Sequence, residues 1–254
     1  VVEEFGSKRV FETPTSENAM TGIGIGMSLY KNPCIMMHQR FDFFLLAMDQ
    51  LINNAAKWHY MYGGQKSVPI TIRLIIGKGW GQGPTHSQSL QSWFAHIPGL
   101  KVVMPALPSD AYELLKKSIK DPNPIIFIEH RWLHNVEGKY KKKKSKVSIG
   151  KSELLSQGKD FTAVTYSLST IEMLSLKNFF NKNKIYFDLI DLKTIKPLDL
   201  KLTIKSLKKT RKLFIGCKTA SISICRSSGN SSTIDIEGHS IIIATTGTAA
   251  APRD

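Results

Sequence analysis

Residues 101–130 read KVVMPALPSDAYELLKKSIKDPNPIIFIEH, and the order of apolar patterns in this stretch sets the fold class. KVVMPA is a short apolar run, DAYELLKKSIKD repeats its apolar residues at helical spacing, and PIIFIEH is apolar almost throughout. Ser109 is placed to cap the helix, and Pro122 ends it because proline has no backbone donor. A strand that returns to its sheet through a helix runs parallel to its partner. Strands apolar on both faces belong to a sheet covered by helices on either side.

The alternation continues outward in both directions. On the N-terminal side KNPCIMMHQ and VPITIRLII read as strands, and between them Phe41, Phe44, Leu45, Met48, Leu51, Ile52, Ala55 and Ala56 recur at the spacing of one long amphipathic helix. On the C-terminal side DFTAVTYS, KIYFDLIDL and KLFIGC read as strands, separated by the helices TIEMLSLKNFFNK and LDLKLTIKSLKKT. The expected fold is α/β, with two domains of mainly parallel sheets flanked by helices, at residues 1–137 and 149–254. Residues 138–148 form the expected linker, since KYKKKKSK has no apolar residues with which to pack. After about residue 216 lysine nearly vanishes, serine and threonine become dense, and the pattern of the second domain turns atypical.

Composition narrows the functional classes. The chain has 254 residues, 42% of them hydrophobic, which is enough for a substantial core. It has no apolar run of the roughly 18 residues a membrane span needs, and VVEEFGSKRVFETP lacks the features of a signal peptide, so a cytoplasmic protein is expected. The chain opens on Val1 in what reads as the middle of a segment, so upstream sequence is expected. Cys34, Cys217 and Cys225 are too few and too irregular for a disulfide framework or zinc site and read as reduced thiols, Cys34 in a core strand. The net charge of +15 raises the prospect of a nucleic-acid partner. Its lysines gather in the linker and between residues 177 and 212 on helix faces, without interleaved aromatic rings. A solvated basic surface is therefore the simpler reading.

Two places attract chemistry. In GKGWGQGPTHSQ glycine alternates from Gly77 to Gly83, and His86 follows between a strand and a helix. The glycines match no phosphate-binding fingerprint. His86 reads either as a core or capping histidine or as a proton donor and anchor at the carboxyl end of a parallel strand, where α/β sheets place ligands. In TPTSENAMTGIGIG, Ser16 or Thr15 can cap a helix with Glu17 in its first turn, and Gly22, Gly24 and Gly26 would let that helix pack closely. Glu17 reads either as a carboxylate favoured by the helix dipole or as a buried carboxylate that binds a cofactor nitrogen.

Taken together, TPTSENAMTGIGIG, FDFFLLAMDQLINNAAKWHYMYGGQKSVPITIR, the GPTHSQ to IFIEH stretch and DLIDLKTIKPLDL resemble the β chain of the thiamine-diphosphate-dependent 2-oxoacid dehydrogenases, over roughly residues 3–215. The resemblance implies a transketolase-like pyrimidine-binding domain followed by a transketolase C-terminal domain. It implies the β subunit of a decarboxylating 2-oxoacid dehydrogenase component, with pyruvate the expected substrate. Such a subunit activates thiamine diphosphate at an interface with an α chain, in an α2β2 assembly that transfers an acyl group to a lipoyl acyltransferase core. A transketolase-type or acetoin-cleaving thiamine enzyme subunit remains open on the same scaffold, as does a non-enzymatic basic protein.

Residue by residue, Glu17 matches the glutamate at N1′ of the cofactor's aminopyrimidine, where a carboxylate favours the imino tautomer whose nitrogen acts as the base. Phe43 matches the ring that stacks on the pyrimidine, with Phe41 and Phe44 as alternatives, and His86 matches a histidine near the 2-oxo acid. Ile70, Ser118, Ile119, Asp121 and Asn123 match positions whose backbone oxygens hold potassium, although a plain helix stop at Pro122 explains the same letters. There is no GDG segment followed by an asparagine pair, so the resemblance assigns Mg²⁺ and the diphosphate to the α chain. WHYMYGG is expected to be buried against that partner.

Overall fold

The computed structural model describes residues 1–30, 32–77, 81–138 and 147–216, together with the backbone of two short strands at 233–236 and 239–242. The KYKKKKSK stretch, the glycine loop at 78–80 and most of the atypical C-terminal segment lie outside the described residues. Among the described residues, no helix is long and apolar enough to cross a membrane.

After a short N-terminal helix, α1 (Val2–Phe5), the chain enters α2 (Glu17–Leu29) and the first sheet. The strands β1 (Cys34–His38), β2 (Ile70–Ile76), β3 (Lys101–Val103) and β4 (Ile125–His130) are all parallel, in the order β1-β2-β4-β3. They are linked through α3 (Phe41–Phe44), α4 (Ala56–Met61), α5 (Gln91–His96) and α6 (Pro108–Ile119). β2 and β4 are almost wholly buried, as their mainly apolar runs suggest for central parallel strands. The second sheet is built on β5 (Glu153–Ser156), β6 (Phe161–Thr165), β7 (Phe187–Asp191) and β9 (Leu213–Gly216), with α7 (Leu168–Lys182) and α8 (Lys201–Thr210) packed against it. β6, β7 and β9 are parallel and β5 is antiparallel, while β10 (Thr233–Ile236) and β11 (His239–Ile242) extend the far side.

Three local departures from the sequence pattern have physical causes. Ser109 does not cap α6: Leu107 is the N-cap and Pro108 takes the first helical position, where its fixed φ suits the helix and its missing N–H costs nothing. Ser16 is the N-cap of α2 but makes no side-chain capping bond. The long helix at 41–61 is continuous in path but not in geometry, passing from α3 through a 3-10 turn (Leu45–Ala47) and a π-helical turn (Gln50–Ala55) into α4. It buries Phe41, Phe44, Ala47, Leu51, Ala55 and Ala56 against the sheet. Of the three glycines in α2, Gly24 explains itself best, since a Cβ there would lie 2.5 Å from Met36 Sδ and 3.2 Å from Ile70 Cδ1. Gly26 faces open space.

The two sheets are interlocked by a strand that crosses between them. β8 (Thr194–Lys196) follows β7 in the chain but pairs antiparallel with β3, completing the first sheet. Lys193, at the crossing, is 1% exposed and lies at φ 58°, and its carbonyl accepts from Met104 N at 2.8 Å. Its Nζ is 2.9 Å from Asp110 Oδ2 on α6 and also pairs with Glu153 on β5. Burial opposes the ammonium charge, but the Glu153 and Asp110 carboxylates outweigh it and hold the Lys193 pKa above its ordinary value. Lys196 continues the tie, donating to the carbonyls of Ala95 and Ile97 at 2.9 and 2.7 Å.

Asp191 lies beside this cluster. Its Oδ1 accepts from Thr170 Oγ1 at 3.1 Å and Lys193 N at 3.3 Å, while Oδ2 has no partner among the described residues. Burial pushes the carboxyl up to about 7, against the pull of the Lys193 charge. That folded value lies above the roughly 3.9 of an unfolded aspartate, so the folded state holds the extra proton. The contribution is fully present below about pH 4 and is lost as pH rises through about 7. Asp191→Asn should therefore match the parent in stability near pH 4 and exceed it by about 4 kcal/mol at pH 8, at ~1.4 kcal/mol per pKa unit. Chemical denaturation of both proteins across this range checks it, and a difference independent of pH would show that Asp191 stays ionised throughout.

Candidate functional site

A cleft of about 710 Å³ opens where β1 and β2 end. Ligands of α/β sheets gather at the carboxyl ends of the strands, where the loops that begin the crossovers stand. Thr13 and Thr15 on the N-terminal approach, Glu17 and Met20 on α2, and Met37, His38, Gln39 and Arg40 around the end of β1 form one wall. Phe43 from α3, Gln82 from the glycine loop and His86 from the 3-10 turn Pro84–His86 complete it.

The structure brings Glu17, Phe43 and His86 into this one cleft, although 69 positions separate the first from the last (86 − 17). Glu17 is half-buried at the start of α2. Phe43 is 43% exposed, with its ring edge-to-face on His86 at 5.2 Å, whereas Phe41 and Phe44 are fully buried in the core. Phe43 is thus the ring of the three that a ligand can reach. His86 Nδ1 lies 3.1 Å from Thr85 Oγ1, and the loop is fastened to α3 through Gln88 N, which donates to Asp42 Oδ1 at 3.2 Å. Gly83, at φ 71°, makes the turn into this loop in a conformation that suits glycine.

Sequence reasoning missed His38. It is 6% exposed, packs edge-on against Phe44 at 4.8 Å, and its Nε2 has no hydrogen-bond partner among the described residues. Burial lowers its pKa, while the Glu17 carboxylate pulls the other way. The available signal was its place as the last residue of the apolar run CIMMH, which puts an imidazole at the carboxyl end of a parallel strand. Arg40, two residues on, donates to the Gln82 side chain across the mouth of the cleft. Thr13 Oγ1 is a second buried polar atom without a partner among the described residues.

The residues matched to a potassium site sit elsewhere. Ser118 and Ile119 end α6, and Asp121 and Asn123 form the turn into β4. Ile70 begins β2, at the opposite end of that strand from the cleft. The turn is held from within: Asp121 N donates to the Ser118 carbonyl at 3.1 Å, and the Asp121 carboxylate accepts from Asn123 N at 3.0 Å. That carboxylate also receives Lys101 Nζ at 2.6 and 2.8 Å. The Lys101 ammonium occupies the carboxylate side of this turn, whereas the potassium expectation concerns its backbone oxygens.

Comparisons with known proteins bear on the family and the fold. Residues 1–136 match the family described as transketolase, pyrimidine binding domain, and residues 150–220 match transketolase, C-terminal domain. The pyruvate dehydrogenase E1 component subunit beta of Rhizobium meliloti (strain 1021) is 39% identical over 214 residues, covering 84% of this chain and 46% of that protein. Its namesake from Rickettsia conorii is 36% identical over 85% of this chain and 66% of its own length. The acetoin:2,6-dichlorophenolindophenol oxidoreductase subunit beta of Cupriavidus necator is 36% identical over 82% of this chain and 61% of its own length. The chain thus spans between about half and two thirds of the length of these curated relatives. A solved structure of a split gene transketolase, an inactive beta4 tetramer, superposes with a TM-score of 0.71 at 18% identity, over 85% of this chain and 67% of that one. With more than half of its length matched by the first of these families, the chain belongs to the transketolase pyrimidine-binding-domain family.

Proposed function

We propose that the chain is the β subunit of a thiamine-diphosphate-dependent 2-oxoacid dehydrogenase component. The convergence of Glu17, Phe43 and His86 on one cleft carries this reading. The residues present suit the cofactor: a half-buried carboxylate, a solvent-facing ring and two buried polar atoms without partners among the described residues line one side of an open space. When bound, thiamine diphosphate supplies the carbon nucleophile that makes decarboxylation of a 2-oxo acid possible. Glu17 would hold a proton against the pyrimidine of the bound cofactor, and Phe43 would cover one face of that ring and keep water from it. His86, set by Thr85 and the Phe43 ring, donates or accepts a proton at the substrate oxygen. Potassium at the backbone oxygens around Asp121 remains part of this reading, since Lys101 engages only the Asp121 carboxylate.

The assembly is proposed on the same ground. An α chain would provide Mg²⁺ and the diphosphate site and close the cleft, in an α2β2 enzyme that hands its acyl group to a lipoyl acyltransferase core. Exposed apolar residues suit such a partner: Leu46, Met61 and Tyr62 are 65%, 54% and 50% exposed, and Tyr60 is 87% exposed. A second reading, favoured by the Cupriavidus necator relative, is an acetoin-cleaving subunit. The acceptor separates them, since acyl transfer to a lipoyl domain belongs to the first and dye reduction with acetoin to the second.

Calorimetry tests the shared site. The isolated chain should bind thiamine diphosphate weakly, and affinity should rise at least tenfold once an α chain and Mg²⁺ are present, about 1.4 kcal/mol or more. Tight binding by the isolated chain would overturn the half-site arrangement.

The roles of Glu17 and His86 separate in the reconstituted enzyme. Glu17→Gln keeps the size of the side chain but should slow exchange of the cofactor's C2 proton by about 10²-fold or more. His86→Ala should leave that exchange nearly intact and lower single-turnover decarboxylation instead. Small, equal losses in both assays with a lowered melting temperature would mark the two residues as structural.

A further inference from the structure

Resting on the reading of His86 as the group at the substrate oxygen, the way that imidazole is held in place bears on the reaction. The residues lining the cleft run from Thr13 to His86, and none comes from the 147–216 half of the chain. That half nevertheless grips the chain that leaves His86. Gln91, five residues on (91 − 86) and first in α5, is 1% exposed, and its Nε2 donates to Tyr166 Oη at 3.2 Å. Its Oε1 has no partner among the described residues. A buried amide that finds so few partners takes its orientation from the bond it does make. Tyr166 directly follows β6 and packs against the apolar cores of both sheets, so its hydroxyl is placed by the body of the fold and not by α5.

The other end of α5 is held from the same half, where Lys196 Nζ donates to the carbonyls of Ala95 and Ile97. Between the two ends Phe94 is fully buried and meets Phe41 and Phe44 at 5.2 and 6.0 Å. A helix of six residues has little rigidity of its own, so these contacts decide where it starts. The chain between it and His86 has no slack: Gln88 N is fastened to Asp42 Oδ1, and Ser89 and Leu90 are 5% and 8% exposed. Gln88 and Gln91 are thus two fixed points behind the imidazole, one set by the first half and the other by the second. We infer that Tyr166 is a positioning residue for His86, acting through Gln91, so that the C-terminal half takes part in the substrate step although none of its described residues lines the cleft.

The experiment uses the assembled α and β chains with pyruvate and 2-oxoisovalerate as probes. Tyr166→Phe keeps the ring between the two cores and removes only the oxygen that Gln91 meets. It should leave exchange of the cofactor's C2 proton nearly intact, because that step belongs to Glu17. Single-turnover decarboxylation should slow about tenfold with the half-saturating substrate concentration little changed, since small misplacements of a reacting group are costly. In a His86→Ala background the same change should cost nothing further, because the group being positioned is gone. Gln91→Leu should reproduce the loss. Amide hydrogen exchange of the assembled chains without cofactor gives a readout independent of turnover, in which residues 84–91 should exchange several-fold faster in Tyr166→Phe and α2 should be unchanged. Parental decarboxylation in Tyr166→Phe or Gln91→Leu, an equal loss in the His86→Ala background, or faster exchange spread over α2 and 84–91 alike would overturn the inference. If His86→Ala itself decarboxylates as the parent does, the reading of His86 fails and the inference with it, whereas a defect in His86→Ala that Tyr166→Phe does not share defeats only the inference. Turnover of neither acid by the parent assembly would defeat the 2-oxo acid reading and this inference together.

Discussion

A lysine ammonium sealed among carboxylates sets the arrangement of the rest of the molecule. Lys193 joins Asp110, on a helix of the first sheet, to Glu153, on an edge strand of the second, and lies one residue before the strand that crosses between them. An isolated charge at 1% exposure would be prohibitive, and even a paired one is a doubtful gain over apolar packing. What it enforces is geometry, because the ammonium is satisfied only when both carboxylates stand on either side of it. The turn into β8 is fixed as a result, and with it the last strand of the first sheet.

The cleft inherits this rigidity on one side only. β1 is paired along its length with β2, and the loop carrying His86 is fastened through Gln88 and Asp42, so the wall that holds Glu17, Phe43 and His86 is preorganised. The opposite side is open. An electrostatic site works best when water is excluded, since a low local dielectric strengthens every directed interaction. On the proposed reading a second surface would close this cleft, and the exposed aromatic residues after Asn54 would border it.

Much of this was legible in the letters. Short, mainly apolar runs such as ITIRLII and IIFIEH, alternating with helical stripes, read as central parallel strands, and Glu17, Phe43 and His86 stand in motifs long enough to be recognised. What was not legible depends on contacts distant in sequence. The three residues of β8 sit inside DLKTIKPLDL with no pattern of their own, and their pairing with β3 is nearly a hundred positions away. His38 reads as the end of a strand until the fold sets it beside Glu17. The shift to π geometry at Gln50–Ala55 leaves the apolar spacing almost unchanged, so periodicity alone cannot detect it. Ser109 failed as a cap because the preceding proline already satisfied the helix start.

The crossing strand also bears on what happens when the chain is cut. β3 is only three residues long and has β4 on one side and β8 on the other. A fragment that stopped before the second sheet would leave the outer edge of β3 bare, with unpaired backbone groups ready to recruit a foreign strand. Cleavage between the two halves is a different event from their separation. After a nick the C-terminal piece would still lend β8 to its neighbour, and the Lys193 cluster would still clamp the two, so the halves would persist as a fragment-complemented whole.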